Sequence, residues 1–264
     1  MQKFLFCLFV SFISILPVFS AETNEKLYTN CLKPTVLFTT RDKKYVGSGV
    51  LVRSDLVNSK YHNVVITCNH CARHSPYNLV QVPKYNSKQE LTGYTNYNAT
   101  VYARVKNYDL AIILFESDVV LPVAQLEMNP KLVIGSKILR VGYGLGDDPR
   151  LDRGEITSVK TLDPDFFRGY YRTNVYTVYG DSGGPLFNKK YNVIGIAHGI
   201  RCASGHDLFQ QSYYIPTQWL KTWDDEINNT VSFVYNKDAK MPVMSFFFMK
   251  MEDIKPQKIG AKKK

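Results

Sequence analysis

The chain has 264 residues, a formal net charge of +10 at pH 7 and 45% hydrophobic residues, which suits one large β domain or two small barrels. The basic charge is concentrated at the end of the chain, where residues 236–264 hold eight lysines against three acidic residues. Because the remainder carries little excess charge, the composition argues against a dedicated nucleic-acid-binding module.

Residues 1–20 have the pattern of a secretory signal peptide. A basic residue precedes an apolar run from Phe4 to Val18, and small residues follow at Ser20 and Ala21. A membrane anchor is the alternative, but the run is shorter than a usual membrane span. We therefore expect cleavage after Ser20 and export of the protein, to the periplasm or the extracellular space.

Short apolar runs separated by turn residues recur along the rest of the chain and predict an all-β fold. The first half offers five strands, at Thr35–Thr39, Tyr45–Arg53, Asn63–Thr67, Thr100–Lys106 and Leu110–Glu116. The second half offers six, at Lys137–Tyr143, Gly154–Val159, Tyr171–Thr177, Pro185–Asn188, Val193–Ala197 and Ser212–Ile215. A helix is predicted over 216–227, because Pro216 suits a first turn and apolar residues follow on one face.

Two polar residues at the ends of predicted strands suit acid–base chemistry. His70 follows the β-branched run that ends at Thr67, and Asp109 opens the apolar run 110–115. A carboxylate at the start of a buried run needs a partner, which an imidazole can supply. The alternatives to His70 as the base are His62, His74, His198 and His206. The alternatives to Asp109 as the carboxylate are Asp42, Asp55 and Asp118.

The most specific signal is the hexapeptide Gly-Asp-Ser-Gly-Gly-Pro at residues 180–185. A nucleophilic serine needs a tight, glycine-flanked turn that projects its hydroxyl and aims backbone N–H groups at the developing oxyanion. An ordinary glycine-rich hairpin turn is the alternative. The order His70, Asp109, Ser182 is one of the known orders of the serine triad, so the three motifs together favour nucleophilic catalysis by Ser182.

These motifs resemble those of the chymotrypsin-like serine proteases. The segment 67–71 is similar to the family's Thr-Ala-Ala-His-Cys, 109–112 to Asp-Ile-Ala-Leu, and 180–185 to Gly-Asp-Ser-Gly-Gly-Pro. The likeness covers roughly residues 30–225. It implies two six-stranded antiparallel β-barrels, about 28–117 and about 118–215, with the active site in the cleft between them and the helix 216–227 after the second barrel.

The resemblance also implies a reaction. We expect a secreted serine endopeptidase that hydrolyses protein or peptide substrates through an acyl-enzyme, with the N–H groups of Gly180 and Ser182 as the oxyanion hole. No metal or organic cofactor is expected, because the triad supplies its own base. The spacings of 39 residues from His70 to Asp109 and 73 from Asp109 to Ser182 look closest to the compact glutamyl-endopeptidase-like members.

Four cysteines remain beyond the predicted signal peptide and allow three disulfide connectivities: Cys31, Cys68, Cys71 and Cys202. In the family, the cysteine after the catalytic histidine pairs with one just before a Gly-rich strand, but Val46–Gly49 contains none. Cys71 therefore pairs elsewhere or stays free. The pair Cys68 and Cys71 looks like half a metal site, but no second such pair exists, so no metal is predicted.

The family pattern also predicts how the aspartate before the nucleophile is satisfied. In the trypsin-like branch, cleavage at an Ile-Val-Gly-Gly-type start frees an amine that pairs with this aspartate, which is Asp181 here. The chain has no such start. Because a buried carboxylate must be paired, we expect an internal Lys or Arg to bind Asp181, or a differently trimmed N-terminus to do so.

The residues implied for the substrate pocket differ from those of trypsin. Tyr176 stands where trypsin-like enzymes keep an acidic group, so a P1 Lys or Arg lacks its counter-charge. Thr177 and His198 resemble the hydroxyl and the histidine that bind a P1 carboxylate in glutamyl-specific relatives, although His198 is one place out of register, which would put Ala197 on the pocket wall. The hypotheses are an acidic or amide P1 residue, or a small or apolar one.

The predicted protease domain, 21–227, is followed by a Lys-rich tail, 228–264. The part 236–264 could contact an anionic surface or polymer, and a solvated end is the alternative. The alternative function for the whole chain is a catalytically silent homologue that acts as a binding module. A monomer is expected.

Overall fold

The computed structural model describes residues 25–40, 45–72, 78–105, 108–162, 169–203, 206–220 and 232–233. The predicted signal peptide, most of the predicted helix 216–227 and nearly all of the tail lie outside these residues. Within the described part of the chain, no helix is long and apolar enough to cross a membrane.

Six antiparallel strands form the first barrel: β1 (Thr35–Thr40), β2 (Val46–Val57), β3 (Lys60–Cys68), β4 (Asn78–Tyr85), β5 (Leu91–Val105) and β6 (Leu110–Ser117). They are hydrogen-bonded in the order β5, β4, β1, β2, β3, β6, and β6 pairs with β5 to close the barrel. A π-helical segment, Tyr28–Leu32, precedes β1, and the short helix α1 (Asn69–Ala72) follows β3.

Six further strands form the second barrel: β7 (Lys137–Gly142), β8 (Arg150–Leu162), β9 (Gly169–Thr173), β10 (Pro185–Phe187), β11 (Val193–Ala203) and β12 (His206–Pro216). This barrel closes in the order β10, β11, β12, β9, β8, β7. A two-residue strand, β13 (Ser232–Phe233), pairs with β5 of the first barrel. Two closed six-stranded barrels confirm the predicted fold class.

The hydrophobic core has three parts, because successive residues of a strand face opposite sides of its sheet. One part fills the first barrel and includes Ile113, and one fills the second barrel and includes Ile194. The third joins the two barrels, with Ile112 of β6 and Ile196 of β11 in the same buried cluster. The nearly all-apolar β6 therefore packs on both of its faces, which is why its sequence lacks a polar alternation.

Polar contacts fix one barrel against the other, and Ser48 of β2 carries three of them. Its backbone N–H donates to the carbonyl of Ser182 at 2.7 Å, and its hydroxyl donates to the carbonyl of Gly180 at 2.8 Å. The same hydroxyl accepts a hydrogen bond from the N–H of Tyr143 at 2.8 Å. The first barrel thus holds the predicted nucleophile turn of the second.

All eleven predicted strands are present, most of them longer than predicted, and β4 is the one barrel strand that the sequence did not predict. Pro83 argues against a strand in this segment, because proline cannot donate a hydrogen bond to a sheet and is confined to edge strands and strand ends. Within β4, Pro83 pairs only with β5, since the pairing with β1 stops at Gln81. The start of the predicted helix is wrong: Pro216 ends β12 by pairing with Gly195, and helical residues begin at Trp219.

Candidate active site

His70 lies in α1, directly after β3, and is held by the residue that precedes β6. Its backbone N–H donates to Asp109 Oδ1 at 2.8 Å, and its ring Nδ1 lies 2.6 Å from Asp109 Oδ2. The N–H of Asn69 adds a bond to the Asp109 carbonyl at 2.9 Å. Because Cys68 and Leu110 pair in the sheet, the two segments leave the barrel side by side. The carboxylate therefore fixes the orientation of the imidazole ring through Nδ1.

Asp109 is a buried carboxylate, only 4% exposed, with a backbone φ of 51° that aspartate tolerates. Burial opposes its ionisation, but hydrogen bonds from His198 and His70 lower the pKa of Asp109 well below its usual range. Burial likewise opposes a charged His70, but the hydrogen bond to Asp109 and the neighbouring Cys71 raise the pKa of His70 to about 10. The Asp109 carboxylate therefore stabilises the imidazolium that forms when His70 takes up a proton.

His198 is a second imidazole on the same carboxylate. Its Nδ1 lies 2.7 Å from Asp109 Oδ2, and its ring stacks on Tyr170 with the ring centroids 4.9 Å apart and the planes at 18°. His198 is the extra residue of a β-bulge, because Ala197 and Gly199 pair with consecutive residues of β12. Sequence reasoning considered His198 for the pocket or as the base and missed this contact, because nothing in the local sequence marks the bulge.

The turn that carries Ser182 depends on two glycines in the left-handed region, Gly180 with a φ of 96° and Gly183 with a φ of 87°. A Cβ on Gly183 would overlap the carbonyl oxygen of Ser48 and the hydroxyl of Thr67, so no other residue fits there. Among the described residues, none accepts a hydrogen bond from the backbone N–H of Gly180 or Ser182. Both amides are therefore available to an oxygen of a ligand.

The Ser182 hydroxyl donates to the carbonyl of His198 at 3.4 Å. Within the described part of the chain it makes no hydrogen bond to His70. Bonds between a nucleophile and its base are often long or poorly aligned in the absence of substrate. The structure thus brings Ser182, His198 and the pair of His70 and Asp109 into one cluster, with the hydroxyl turned to the backbone of β11.

Asp181 is completely buried and forms an ion pair with the equally buried Arg140 of β7. Arg150 lies 3.7 Å from the same carboxylate, and the N–H of Val178 donates to it at 2.8 Å. Arg140 also pairs with Asp152 of β8. The prediction that an internal Lys or Arg satisfies Asp181 is confirmed, and the structure identifies that residue as Arg140.

The cysteines near His70 are free thiols in this structure, as is Cys31, while the side chain of Cys202 lies outside the described residues. Cys68 is buried and its Sγ donates to the carbonyl of Ala197 at 2.9 Å. A hydrogen bond with Cys68, and one with His70, lower the pKa of Cys71 to about 6 although burial opposes this. A Cβ on Gly47 would lie 2.8 Å from Cys71 Sγ, so Gly47 occupies the place of the absent disulfide partner.

The four predicted pocket residues make different contacts in the structure. Tyr176 is half exposed and its ring lies under Arg150, whereas Thr177 is buried with its hydroxyl 3.3 Å from that of Tyr214. Ala197 is buried and exchanges backbone hydrogen bonds with the nucleophile turn, at Gly183 and Gly184. His198 contacts Asp109, as described above. The specificity for the P1 residue therefore stays a prediction.

The alternative histidines and aspartates lie elsewhere or outside the described residues. His62 faces Glu116 across the pair β3 and β6, with 3.7 Å between Nε2 and Oε1. Asp55 pairs with Arg53, and the exposed Asp118 pairs with Lys60. His74, Asp42 and the side chain of His206 lie outside the described residues.

Comparison with known proteins agrees with this geometry. The chain is 29% identical over 166 residues to a probable periplasmic serine endoprotease DegP-like of Pseudomonas putida (strain GB-1). The aligned segment covers 62% of this chain and 31% of the relative. It is 27% identical over 185 residues to a protein of the same description from Marinomonas sp. (strain MWYL1), covering 70% of this chain and 36% of the relative. The chain thus spans about a third of the length of these curated relatives.

These relatives are described as DegP-like, so the predicted likeness to glutamyl endopeptidases stays a prediction. The model of the trypsin-like peptidase domain matches residues 47–196, which include the segments of His70, Asp109 and Ser182. That match covers more than half of the chain and includes strands of both barrels. The protein therefore belongs to the family of the trypsin-like peptidase domain.

Proposed function

We propose that the protein is a serine endopeptidase in which Ser182 is the nucleophile, His70 the general base and Asp109 the group that orients it. The observation that carries this proposal is the contact of 2.6 Å between His70 Nδ1 and Asp109 Oδ2, next to the glycine turn of Ser182. Membership of the trypsin-like peptidase family supports it. Relatives named as periplasmic endoproteases support export and action on protein or peptide substrates.

In the proposed reaction, Ser182 Oγ turns from the His198 carbonyl toward the His70 ring and attacks the scissile carbonyl. His70 Nε2 takes the hydroxyl proton and later gives it to the leaving amine, which leaves an acyl-enzyme on Ser182. Water then hydrolyses the ester with the same base. Asp109 stabilises the imidazolium that forms in each step, in keeping with the raised pKa of His70.

The oxyanion of the tetrahedral intermediate would be bound by the N–H groups of Gly180 and Ser182. Neither amide donates to another described residue, and the turn that holds them is tied to Ser48 and Asp181. Donors that are already in place need no reorganisation during the reaction. Because Arg140 already pairs with Asp181, we expect activity without a new N-terminal amine.

The expected substrate preference at P1 is based on Tyr176, which precedes the nucleophile turn in the sequence. Tyr176 provides no negative charge, so we expect poor cleavage after Lys or Arg. The proposal of an acidic or amide P1 residue, with a small or apolar one as the alternative, is tested with chromogenic peptides that differ only at P1. Equal turnover of all of them, or a clear preference for Lys or Arg, would contradict it.

The experiment that tests the activity compares the chain from Ala21 with its Ser182→Ala variant on a mixed peptide library, with cleavage sites read by mass spectrometry. We expect cleavage by the first protein and at least a 1,000-fold loss in the second, in line with the cost of removing a catalytic nucleophile. Equal cleavage by both proteins would exclude Ser182. Cleavage that appears only after a further cut before Cys31 would exclude activity without processing.

A further inference from the structure

Two side chains with metal-ligating atoms, those of Cys68 and His198, lie beside the proposed triad without belonging to it. One ligand atom each of Cys68, His70, Asp109 and His198 lies within 4.8 Å of all the others. Only His70 and Asp109 belong to the triad. In the family motif Thr-Ala-Ala-His-Cys, alanine stands where this chain has Cys68, so the thiol is an addition to the pattern.

The burial and the charge of the cluster suit a divalent cation. Cys68 is 0% exposed and Asp109 is 4% exposed, while the side chains of His70 and His198 are 35% and 18% exposed. A thiolate and a carboxylate would neutralise a divalent cation, and two neutral imidazoles would complete four ligands. A neutral site avoids the cost of a buried net charge. The exposed edge of His70 provides access from the cleft.

The ligand types favour zinc. Cys, His and Asp are its usual protein ligands, and four-coordinate tetrahedral sites are its commonest geometry. Tetrahedral ligand atoms stand about 3.3 to 3.7 Å apart at zinc bond lengths of about 2.0 to 2.3 Å. Two of the pairs, from Asp109 Oδ2 to the Nδ1 atoms of His70 and His198, are now 2.6 and 2.7 Å apart. These two pairs must open by about 1 Å, and a pair near the 4.8 Å limit must close by a similar distance, to reach tetrahedral spacing.

We propose that Zn²⁺ binds reversibly to Cys68, His70, Asp109 and His198 and inhibits the peptidase, a proposal whose inhibitory part rests on the proposed function. On binding, the Cys68 thiol releases its proton to solvent, and each imidazole that binds through Nδ1 carries its proton on Nε2. No bond is oxidised or reduced. His70 then presents an N–H to Ser182 instead of a lone pair, so it cannot accept the proton of the hydroxyl.

The binding test is independent of activity. Reduced, metal-free protein is titrated with Co²⁺, which reports a thiolate ligand by a charge-transfer absorption band, and zinc stoichiometry is measured by equilibrium dialysis. We expect one zinc per chain, displacement of cobalt by zinc, and loss of the band in Cys68→Ser but not in Cys31→Ser, a matched change of another buried free cysteine. No binding, a band that survives in Cys68→Ser, or one that is lost in Cys71→Ser alone would overturn the proposed site.

The inhibition test compares each protein with itself, as the ratio of its activity without and with zinc. We expect zinc to suppress wild-type activity, a chelator to restore it, and Mg²⁺ to have no effect. Cys68→Ser should need at least about tenfold more zinc for the same suppression, a typical loss for a weakened metal site. Equal zinc sensitivity of Cys68→Ser and wild type would overturn the inhibition. A protein that binds zinc through Cys68 but cleaves nothing would overturn only the proposed peptidase function.

Discussion

At the scale of single residues, the main feature is a carboxylate oxygen shared by two imidazoles. Asp109 Oδ2 accepts from His70 at 2.6 Å and from His198 at 2.7 Å, and the stacking of His198 on Tyr170 fixes the second ring. In the proposed reaction, His198 is a positioning residue because it acts through Asp109. Its removal should leave the carboxylate with fewer donors and a less defined orientation.

We therefore predict that His198→Ala lowers kcat by about 10- to 100-fold with little change in KM, since a hydrogen bond to a charged group contributes about 1.5 to 3 kcal/mol. The steady-state kinetics of the peptidase reaction test this prediction. The control is His62→Ala, which removes an imidazole that faces Glu116 away from the cluster. A folded His198→Ala variant with wild-type kcat would contradict the positioning role.

Gly47 and Cys71 permit a second prediction at this scale. A Cβ at position 47 would lie 2.8 Å from Cys71 Sγ and 3.3 Å from Cys71 Cβ, close to the spacing of bridged cysteines. We expect Gly47→Cys to form a disulfide with Cys71 and to stabilise the oxidised protein by about 3.5 kcal/mol, the value for a loop of this length.

Thiol titration and thermal unfolding with and without reductant measure this effect. Gly47→Ser, which adds a side chain of similar size but no bond, is the control for packing. The prediction fails if oxidised Gly47→Cys retains both thiols, or if reductant leaves its unfolding temperature unchanged.

At the scale of the secondary-structure elements, β7 determines the state of the nucleophile turn. Arg140 reaches from this strand to Asp181 in the turn and to Asp152 in β8, with no exposed surface of its own. A fully buried ion pair of this kind contributes little net stability over an apolar pair, but loss of one partner leaves an uncompensated buried charge. The geometry of the turn therefore depends on a residue of another strand.

Arg140→Met should cost about 3 to 5 kcal/mol of unfolding free energy, because it leaves the buried Asp181 carboxylate with only the more distant Arg150 as a cationic partner. Urea unfolding and peptidase assays measure the change, and activity should fall with it. Lys137 lies in the same strand as Arg140 and forms an exposed ion pair with Glu155 of β8. Lys137→Met breaks this pair and should cost less than about 1 kcal/mol of unfolding free energy. Similar losses in the two variants would contradict the special role of Arg140. Adding Asp181→Asn to Arg140→Met should recover part of the stability.

The strands also show how far local sequence predicts this fold. Runs such as Leu110–Phe115 predict their strands because burial on both faces makes the whole run apolar. The strand β4 is not predicted, because Pro83 weakens the local pattern, and the proline is acceptable only because the pairing of β4 with β1 ends at Gln81. Pro216 misleads in the opposite way, since proline suits both a first helical turn and the end of a strand.

At the scale of the whole molecule, catalysis as proposed depends on the fit between the barrels. His70 and Asp109 belong to the first barrel and Ser182 to the second, and a shared hydrophobic cluster packs the two together. Ser48 fixes how the first barrel is oriented against the nucleophile turn, because its hydroxyl is hydrogen-bonded to both Gly180 and Tyr143 of the second barrel. The relative position of base and nucleophile thus depends on contacts outside the triad.

Ser48→Ala should destabilise the protein by about 1 to 3 kcal/mol, because it leaves the Gly180 carbonyl and the Tyr143 N–H buried without a partner. We expect a loss of kcat larger than the stability change alone explains, because the turn of Ser182 loses its tie to β2. The control is Ser54→Ala, also in β2, which removes the hydrogen bond that the Leu121 N–H donates to the Ser54 hydroxyl. This variant should keep its activity. Unchanged kinetics in a folded Ser48→Ala would contradict this role of the interface.

The sequence by itself determined eleven of the twelve barrel strands, the three motifs and the need of Asp181 for a cationic partner, because each depends on neighbouring residues or on the cost of burying a charge. Only the tertiary structure identified Arg140 as that partner. It also placed His198, 89 residues from Asp109 in the sequence, on the carboxylate that His70 contacts. Such contacts depend on barrel closure and on a β-bulge. Neither leaves a pattern within one segment, because the energy that selects them comes from packing between distant strands.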